Sequence, residues 1–131
     1  MNDNLWGTIP KPGNLNTPNS ILVTQGKVLE VATDRALSGV SIKKPNNGGF
    51  NIDFFIKAES LNNYRYHLFT VTHDVHLYPA KIFYAGKPPL ECEDESEFRT
   101  ALGEILSGSA TRKIIEALLA QVRDDGDDIP F

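Results

Sequence analysis

Two kinds of hydrophobic pattern divide the chain, and together they predict a sheet followed by helices. From residue 21 to residue 85, apolar residues alternate with polar ones or form short β-branched runs, which is typical of strands. In 52–59, for example, Ile52, Phe54 and Ile56 share one face, while Phe55 lies on the other with charged neighbours. Turn-forming residues separate such segments. We expect a meander of about five strands near 21–31, 39–43, 52–59, 64–72 and 78–85.

After the prolines at 88–89, the apolar spacing becomes that of an amphipathic helix. Asp94 followed by Glu97 is a capping box, which predicts a helix over 95–106. Ser109 is placed to cap a second helix that ends near Arg123. We expect both helices to fold back over one face of the sheet. The predicted fold is α+β, an antiparallel β-meander of about five strands followed by two C-terminal amphipathic helices and a flexible acidic tail.

The predicted organisation is an extended N-terminal arm over 1–20, a single α+β domain over 21–123 and an acidic interaction tail over 124–131. The arm contains five asparagines and three prolines, a composition that favours turns and extended backbone. Trp6 is expected to hold the arm by packing on the domain, because a large aromatic residue near a terminus usually does so.

Composition indicates one ordinary cytoplasmic domain. A chain of 131 residues with 40% hydrophobic residues can form a core without a disulfide or a structural metal. Cys92 is the single cysteine, so no intramolecular disulfide is expected. No segment has the roughly 18 consecutive apolar residues of a membrane span, and the first residues lack the pattern of a signal peptide.

Charge is distributed unevenly along the sequence. Residues 21–90 contain eight basic and five acidic side chains, a net charge of +3, whereas 91–131 contain four basic and eleven acidic ones, a net charge of −7. The overall charge of −4 is therefore set by the C-terminal part of the chain. Removing the four aspartates of the tail leaves a body with no net charge, which does not exclude a nucleic-acid-binding surface.

The last residues combine a run of carboxylates with three apolar residues, an unusual order for a tail that only aids solubility. Phe131 can fill an apolar pocket, its α-carboxylate can pair with a cation at the rim, and Pro130 limits the entropy lost on docking. The residues expected to contact a partner are Asp124, Asp125, Asp127, Asp128, Ile129, Pro130 and Phe131.

This order resembles the acidic carboxyl-terminal tip of bacterial single-stranded DNA-binding proteins. In that family the tip recruits replication, recombination and repair enzymes. The resemblance covers about eight residues. It implies that Pro130 and Phe131 anchor the tail in a partner's pocket, with the aspartates along a basic ridge. The body differs from the family, because 62–63 leave no room for the helix of an oligonucleotide-binding barrel, and the long linker before the tip is absent.

The predicted strands also carry aromatic residues interleaved with cations, the mixture that single-strand binders use to stack bases and hold phosphates. The residues expected to contact nucleic acid are Lys57, Tyr64, Arg65, Tyr66 and Lys81. The alternative is that the aromatic residues belong to the core and the cations are ordinary solvent-facing residues.

No residue pattern favours an enzyme. His67, His73 and His76 lie close in sequence but are poorly spaced for one metal, so 72–76 are interpreted as a solvated turn. Cys92 is surrounded by acidic residues that raise a thiol pKa, and phosphate-binding, dinucleotide-binding and serine-hydrolase motifs are absent from the sequence. We expect no cofactor, no metal and no membrane contact.

Two hypotheses follow. The first is a non-enzymatic cytoplasmic protein of bacterial or phage DNA metabolism that docks on genome-maintenance proteins through its tail, with single-stranded DNA as a further expected ligand of its sheet. The second is a self-contained interaction, subunit or inhibitor module with an incidental tail. Either hypothesis is compatible with an oligomer.

Overall fold

The computed structural model describes residues 3–127, which form a five-stranded sheet and three α-helices. The helices are α1 (Pro18–Ala32), α2 (Glu95–Leu106) and α3 (Ser109–Asp127). The strands are β1 (Ser38–Asn46), β2 (Gly49–Ala58), β3 (Tyr64–Asp74), β4 (Ala80–Phe83) and β5 (Leu90–Cys92). Every strand pairs antiparallel with its neighbour in sequence order. The predicted α+β class, with an antiparallel meander followed by two C-terminal helices, is confirmed.

The prediction of a first strand over 21–31 is wrong, because this segment belongs to helix α1. Thr17 caps the helix: its Oγ1 accepts a hydrogen bond from the Ser20 amide at 3.0 Å, and Pro18 occupies the first turn. Ile21 and Leu22 are buried in the core. The burial of one face of the helix overrides the strand preference of its β-branched residues.

The meander therefore starts and ends later than predicted. Its last two strands are β4 and the short β5, whereas the sequence pattern predicted one strand over 78–85. The predicted segments 39–43, 52–59 and 64–72 correspond to β1, β2 and β3.

One face of the sheet forms the core, and helices pack against that face. Ile52, Phe54 and Ile56 of β2 are buried on it together with Val71 of β3 and Ile82 of β4. The buried helix residues of the same core are Ile21, Leu22, Phe98, Leu102, Ile105 and Leu118. The expectation that α2 and α3 fold back over one face is thus confirmed, and α1 joins them.

Helix α2 begins as the capping box predicted. The Asp94 Oδ1 accepts from the Glu97 amide at 2.9 Å. The Glu97 carboxylate reaches back one residue further than expected, to the Glu93 amide at 2.8 Å. Helix α3 starts at Ser109, which is its first residue and not its cap.

Helix α3 continues to Asp127 and does not stop near Arg123. Because extending an existing helix costs little per residue, the amphipathic segment continues well past Leu118, which is buried in the core. The predicted boundary at 124 therefore falls inside α3.

The expectation that Trp6 packs on the domain is wrong. Residues 3–16 are exposed, and Trp6 is 84% exposed. Its backbone amide donates to Asn4 Oδ1 at 3.0 Å, so a local turn positions it away from the core. Among the described residues, we find no helix that combines the length and hydropathy required to cross a bilayer.

Candidate nucleic-acid interface

The sheet face opposite the helices, called here the open face, carries the aromatic and cationic residues of the strands. Burial alternates along β2, with even-numbered residues in the core and odd-numbered residues pointing outward. The strand register extends that assignment to neighbouring strands. The open face consists of Ser38, Val40, Ile42, Lys44, Asn46, Gly49, Asn51, Asp53, Phe55, Lys57, Arg65, His67, Thr70, Thr72, Asp74, Lys81, Phe83 and Glu91.

Phe55 occupies the centre of this face and is flanked by two side chains that can each stack. The Arg65 guanidinium lies 4.7 Å from the centroid of the Phe55 ring. On the same ring, His67 makes an edge contact with centroids 5.3 Å apart and planes at 69°. A half-buried ring held by a cation and an imidazole is a suitable platform for a planar ligand.

A β-bulge in β3 shapes this centre. The register of β3 against β2 shifts between Phe54 and Phe55, which face Phe69 and His67 respectively. Leu68 and Phe69 are both buried as a result, and His67 and Thr70 lie on the open face.

The bulge brings His67 and Thr70 together around one carboxylate. Thr70 Oγ1 donates to Asp53 Oδ1 at 2.6 Å, and His67 Nε2 lies 2.9 Å from Thr70 Oγ1 and 3.2 Å from Asp53 Oδ1. Since a single imidazole nitrogen contacts both oxygens, the three groups do not form a nucleophile–base–carboxylate relay. The cluster fixes the position of the His67 ring beside Phe55.

The open face is net positive although the whole chain is acidic. It carries the four cations Lys44, Lys57, Arg65 and Lys81 against three carboxylates, those of Asp53, Asp74 and Glu91. The Lys81 ammonium lies 4.0 Å from Glu91, and Asp53 is held by Thr70 and His67. A positive surface with aromatic rings suits the phosphates and bases of nucleic acid.

Phe83 adds a second ring on the same face. It lies on β4 opposite Thr70 and is 42% exposed. Two strand spacings, about 10 Å, separate β4 from β2. Phe55 and Phe83 can therefore stack on different bases of one strand.

The structure divides the five residues predicted to contact nucleic acid. Lys57, Arg65 and Lys81 lie on the open face. Tyr64 and Tyr66 pair with Ala58 and Ile56, so they lie on the helix side of the sheet near its end. The two tyrosines therefore cannot share a surface with the three cations, which is a correction to the predicted set.

Phe55, Phe83 and His67 belong to the interleaved aromatic and cationic residues of the predicted strands, but the five expected contacts leave them out, and all three lie on the open face. The position of Phe55 was predictable, because the alternation of residues in 52–59 already placed it on the face opposite Ile52. His67 was predictable in the same way, because it lies two residues from Arg65 on the regular part of β3 and so shares its face.

Of the tail residues predicted to dock on a partner, Asp124, Asp125 and Asp127 belong to helix α3. The predicted side-chain contacts of Asp125 and Asp127 lie outside the described part of the chain. So do Asp128, Ile129, Pro130 and Phe131.

The histidines are placed differently from the predicted solvated turn. His73 is the last residue but one of strand β3 and is buried on the core side, with its Nδ1 at 2.6 Å from the carbonyl oxygen of Asp74. His67 lies on the opposite face, while His76 is exposed after the strand. Among the side chains of residues 3–124, no three His, Cys, Asp or Glu are grouped so that they could hold a metal ion.

Cys92 is buried at the end of β5, and its thiol pKa is raised mainly by that burial and further by the carboxylates of Glu97, Asp94 and Glu91. A thiol held in its neutral form is a weak nucleophile. Burial likewise raises the pKa of Tyr78 to about 12, with a smaller contribution from Glu95.

Comparisons with known proteins add no relative. Neither protein-family models, nor curated proteins, nor solved structures yielded a match to this chain.

Proposed function

We propose that the protein binds single-stranded nucleic acid through the open face of its sheet and acts in bacterial or phage DNA metabolism in the cytoplasm. The observation that carries the proposal is the arrangement of Phe55 between Arg65 and His67, with Phe83 and a net positive charge on the same face. The role is binding without catalysis.

Each part of the open face has a separate task in this proposal. Phe55 stacks on one base and Phe83 on another, which requires bases that are not already paired in a duplex. Lys57, Arg65 and Lys81 neutralise phosphates. Stacking works with any base, so binding is expected to depend little on sequence and strongly on salt.

Two charge-reversal variants, Lys57→Glu and a control, test whether the cations of the open face contact phosphates. Lys57→Glu should weaken binding of a fluorescent oligothymidylate at low salt, because it replaces a phosphate contact with a repulsive charge. The logarithm of the binding constant falls linearly with the logarithm of the salt concentration. The slope of that line should become shallower by about 0.7, because one phosphate contact is lost. Fluorescence anisotropy at several salt concentrations measures both quantities.

Lys27→Glu is the matched control, since it makes the same change in net charge on the exposed surface of helix α1. It should leave affinity nearly unchanged. Equal losses from both variants would mean that only overall charge matters, which contradicts a site on the open face.

The carboxyl-terminal residues complete the proposal by recruiting partners. Asp127, Asp128, Ile129, Pro130 and Phe131 resemble the tip with which single-stranded DNA-binding proteins dock on genome-maintenance enzymes. The expected partner has an apolar pocket with a basic rim: Phe131 fills the pocket and the aspartates follow the rim. Nucleic acid on the sheet and an enzyme on the tail would then be held by one chain.

Deleting Phe131 tests the recruiting role. The shortened chain should lose capture of replication, recombination and repair proteins from a bacterial lysate, because the pocket anchor is gone, while its circular dichroism spectrum and oligonucleotide affinity stay the same. Mass spectrometry of the captured proteins is the measurement. Unchanged capture of that set would refute the tail proposal and leave the sheet proposal standing.

A further inference from the structure

The N-terminal arm presents apolar side chains to solvent on a positioned backbone. Its base is attached to the domain, because Pro18 is buried and the Tyr78 hydroxyl donates to the carbonyl oxygen of Asn16 at 3.3 Å. The Asn16 side-chain amide also donates to a Glu95 carboxylate oxygen at 3.4 Å. From this base, residues 3–16 extend along an exposed path.

The tip of the arm is a turn held by its own side chains. The Asn4 amide accepts from the Trp6 backbone and donates to the carbonyl oxygen of Gly7 at 2.8 Å, and Gly7 has a φ of +70°. In this turn, Leu5 is 96% exposed and Trp6 84% exposed, and Ile9 follows at 58%. Adjacent exposed side chains of this size mark an interaction site, and an ordered turn reduces the entropy cost of binding.

The same chain contains an apolar groove between helices α1 and α3. Its volume is about 740 Å³, and its floor is formed by Phe54, Ile56 and Leu68 of the sheet. Val28 of α1 and Ile115 of α3 line the two sides. Val28 is 53% exposed, although it lies on a groove that leads to the core.

Charge favours the arm over the other segments of the chain as the occupant of this groove. One cation, Arg112, and one anion, Glu116, line it, so it attracts neither phosphates nor the acidic tail. Residues 4–10 of the arm carry no charge and include Leu5, Trp6 and Ile9.

We propose that the arm of one copy inserts Leu5, Trp6 and Ile9 into the α1–α3 groove of a second copy, and that reciprocal exchange closes a two-fold dimer. The second copy is the occupant because the arm lies exposed beside its own domain, held by the contacts of Asn16 and by the Asn4 turn. A two-fold exchange uses each arm and each groove once and so forms a closed pair. This inference does not depend on nucleic-acid binding.

Trp6 reports directly on the exchange, since it is the single tryptophan of the chain. Its fluorescence emission should shift to shorter wavelength as the full chain is concentrated, in parallel with a doubling of mass measured by light scattering. An emission maximum that stays at long wavelength at every concentration would overturn the proposal. So would a short-wavelength maximum in a chain of monomeric mass, which would mean that the arm occupies its own groove.

Two variants identify the groove. Val28→Asp places a carboxylate on the groove and should abolish both the emission shift and the dimer, whereas Val31→Asp, on the same helix and 77% exposed, should change neither. Circular dichroism checks that both variants are folded. Equal behaviour of the two variants would contradict the assignment.

Mixing two defective chains separates exchange between copies from docking within one copy. The Trp6→Ala chain has an intact groove and no tryptophan, and the Val28→Asp chain has an intact arm and a damaged groove. Emission from the mixture comes only from the second chain, and it should shift to shorter wavelength when the first is added. No shift on mixing would overturn insertion into a second copy.

Discussion

Two glycines set how closely the first helix lies on the sheet. A Cβ atom added to Gly26 of α1 would lie 2.3 Å from the carbonyl oxygen of Gly39 in β1. A Cβ on Gly39 would lie 2.5 Å from the Cα of Gly26 and equally close to the Phe54 ring. Only glycine at both positions permits this contact between backbones. The sequence pattern placed Gly26 as an irregularity within a strand, whereas it is a contact point between a helix and a strand.

Replacing Gly26 therefore tests the packing of α1. Gly26→Ala should lower the free energy of unfolding by about 1–3 kcal/mol, because the backbone atoms of β1 cannot yield to the added methyl group. The same change in Gly103 of α2 is the control: nothing lies within 4 Å of a Cβ there, so the higher helix propensity of alanine should add up to about 1 kcal/mol. Urea unfolding measures both. A stabilising effect of Gly26→Ala would show that α1 does not depend on this contact.

At the same scale, the candidate site was predictable only in part. Alternation along β2 placed Lys57 and Phe55 on one face, because a strand fixes the side of every second residue. Tyr64 and Arg65 are neighbours in sequence and therefore point to opposite faces, so a set that included both could not form one surface. Which face stayed open depended on the helices, and the residues of the strands alone do not encode that.

At the scale of elements, local signals predicted α2 well and α1 poorly. The capping residues Asp94 and Glu97 and a regular apolar stripe lie within one short segment, so no distant contact is needed to define α2. In α1 the residues Ile21, Leu22 and Leu29 also recur at helical spacing, but Val and Ile favour strands in isolation. The cap at Thr17 and Pro18 was the signal that could have decided between the two.

The β-bulge is the element that most affects the site and was the least predictable. It arises where β3 pairs with β2, and pairing between strands is not visible in the sequence of either strand. Without it, His67 and Thr70, three residues apart, would lie on opposite faces. With it, both contact Asp53, and His67 is held against Phe55.

At the scale of the whole molecule, positively charged, apolar and acidic residues are concentrated on different surfaces. The open face has a net positive charge and aromatic rings, the helix side has a mainly apolar groove lined by one cation and one anion, and the carboxyl-terminal end of the chain carries four aspartates. The net charge of −4 therefore conceals a face with the opposite sign. Such a separation lets one small domain offer different surfaces to nucleic acid, to a second copy and to a protein partner.

Single strands should bind to the open face of the sheet and not to its helix side, and two variants distinguish these faces. Phe55→Ala and Tyr64→Ala each remove one aromatic ring, from opposite faces of the sheet. In an anisotropy titration with a fluorescent oligothymidylate at low salt, Phe55→Ala should weaken binding by about 5- to 150-fold, since losing one stacked base costs about 1–3 kcal/mol. Tyr64→Ala should bind like the unaltered chain. Equal affinities for all three proteins, or a greater loss from Tyr64→Ala, would mean that the open face is not the binding surface.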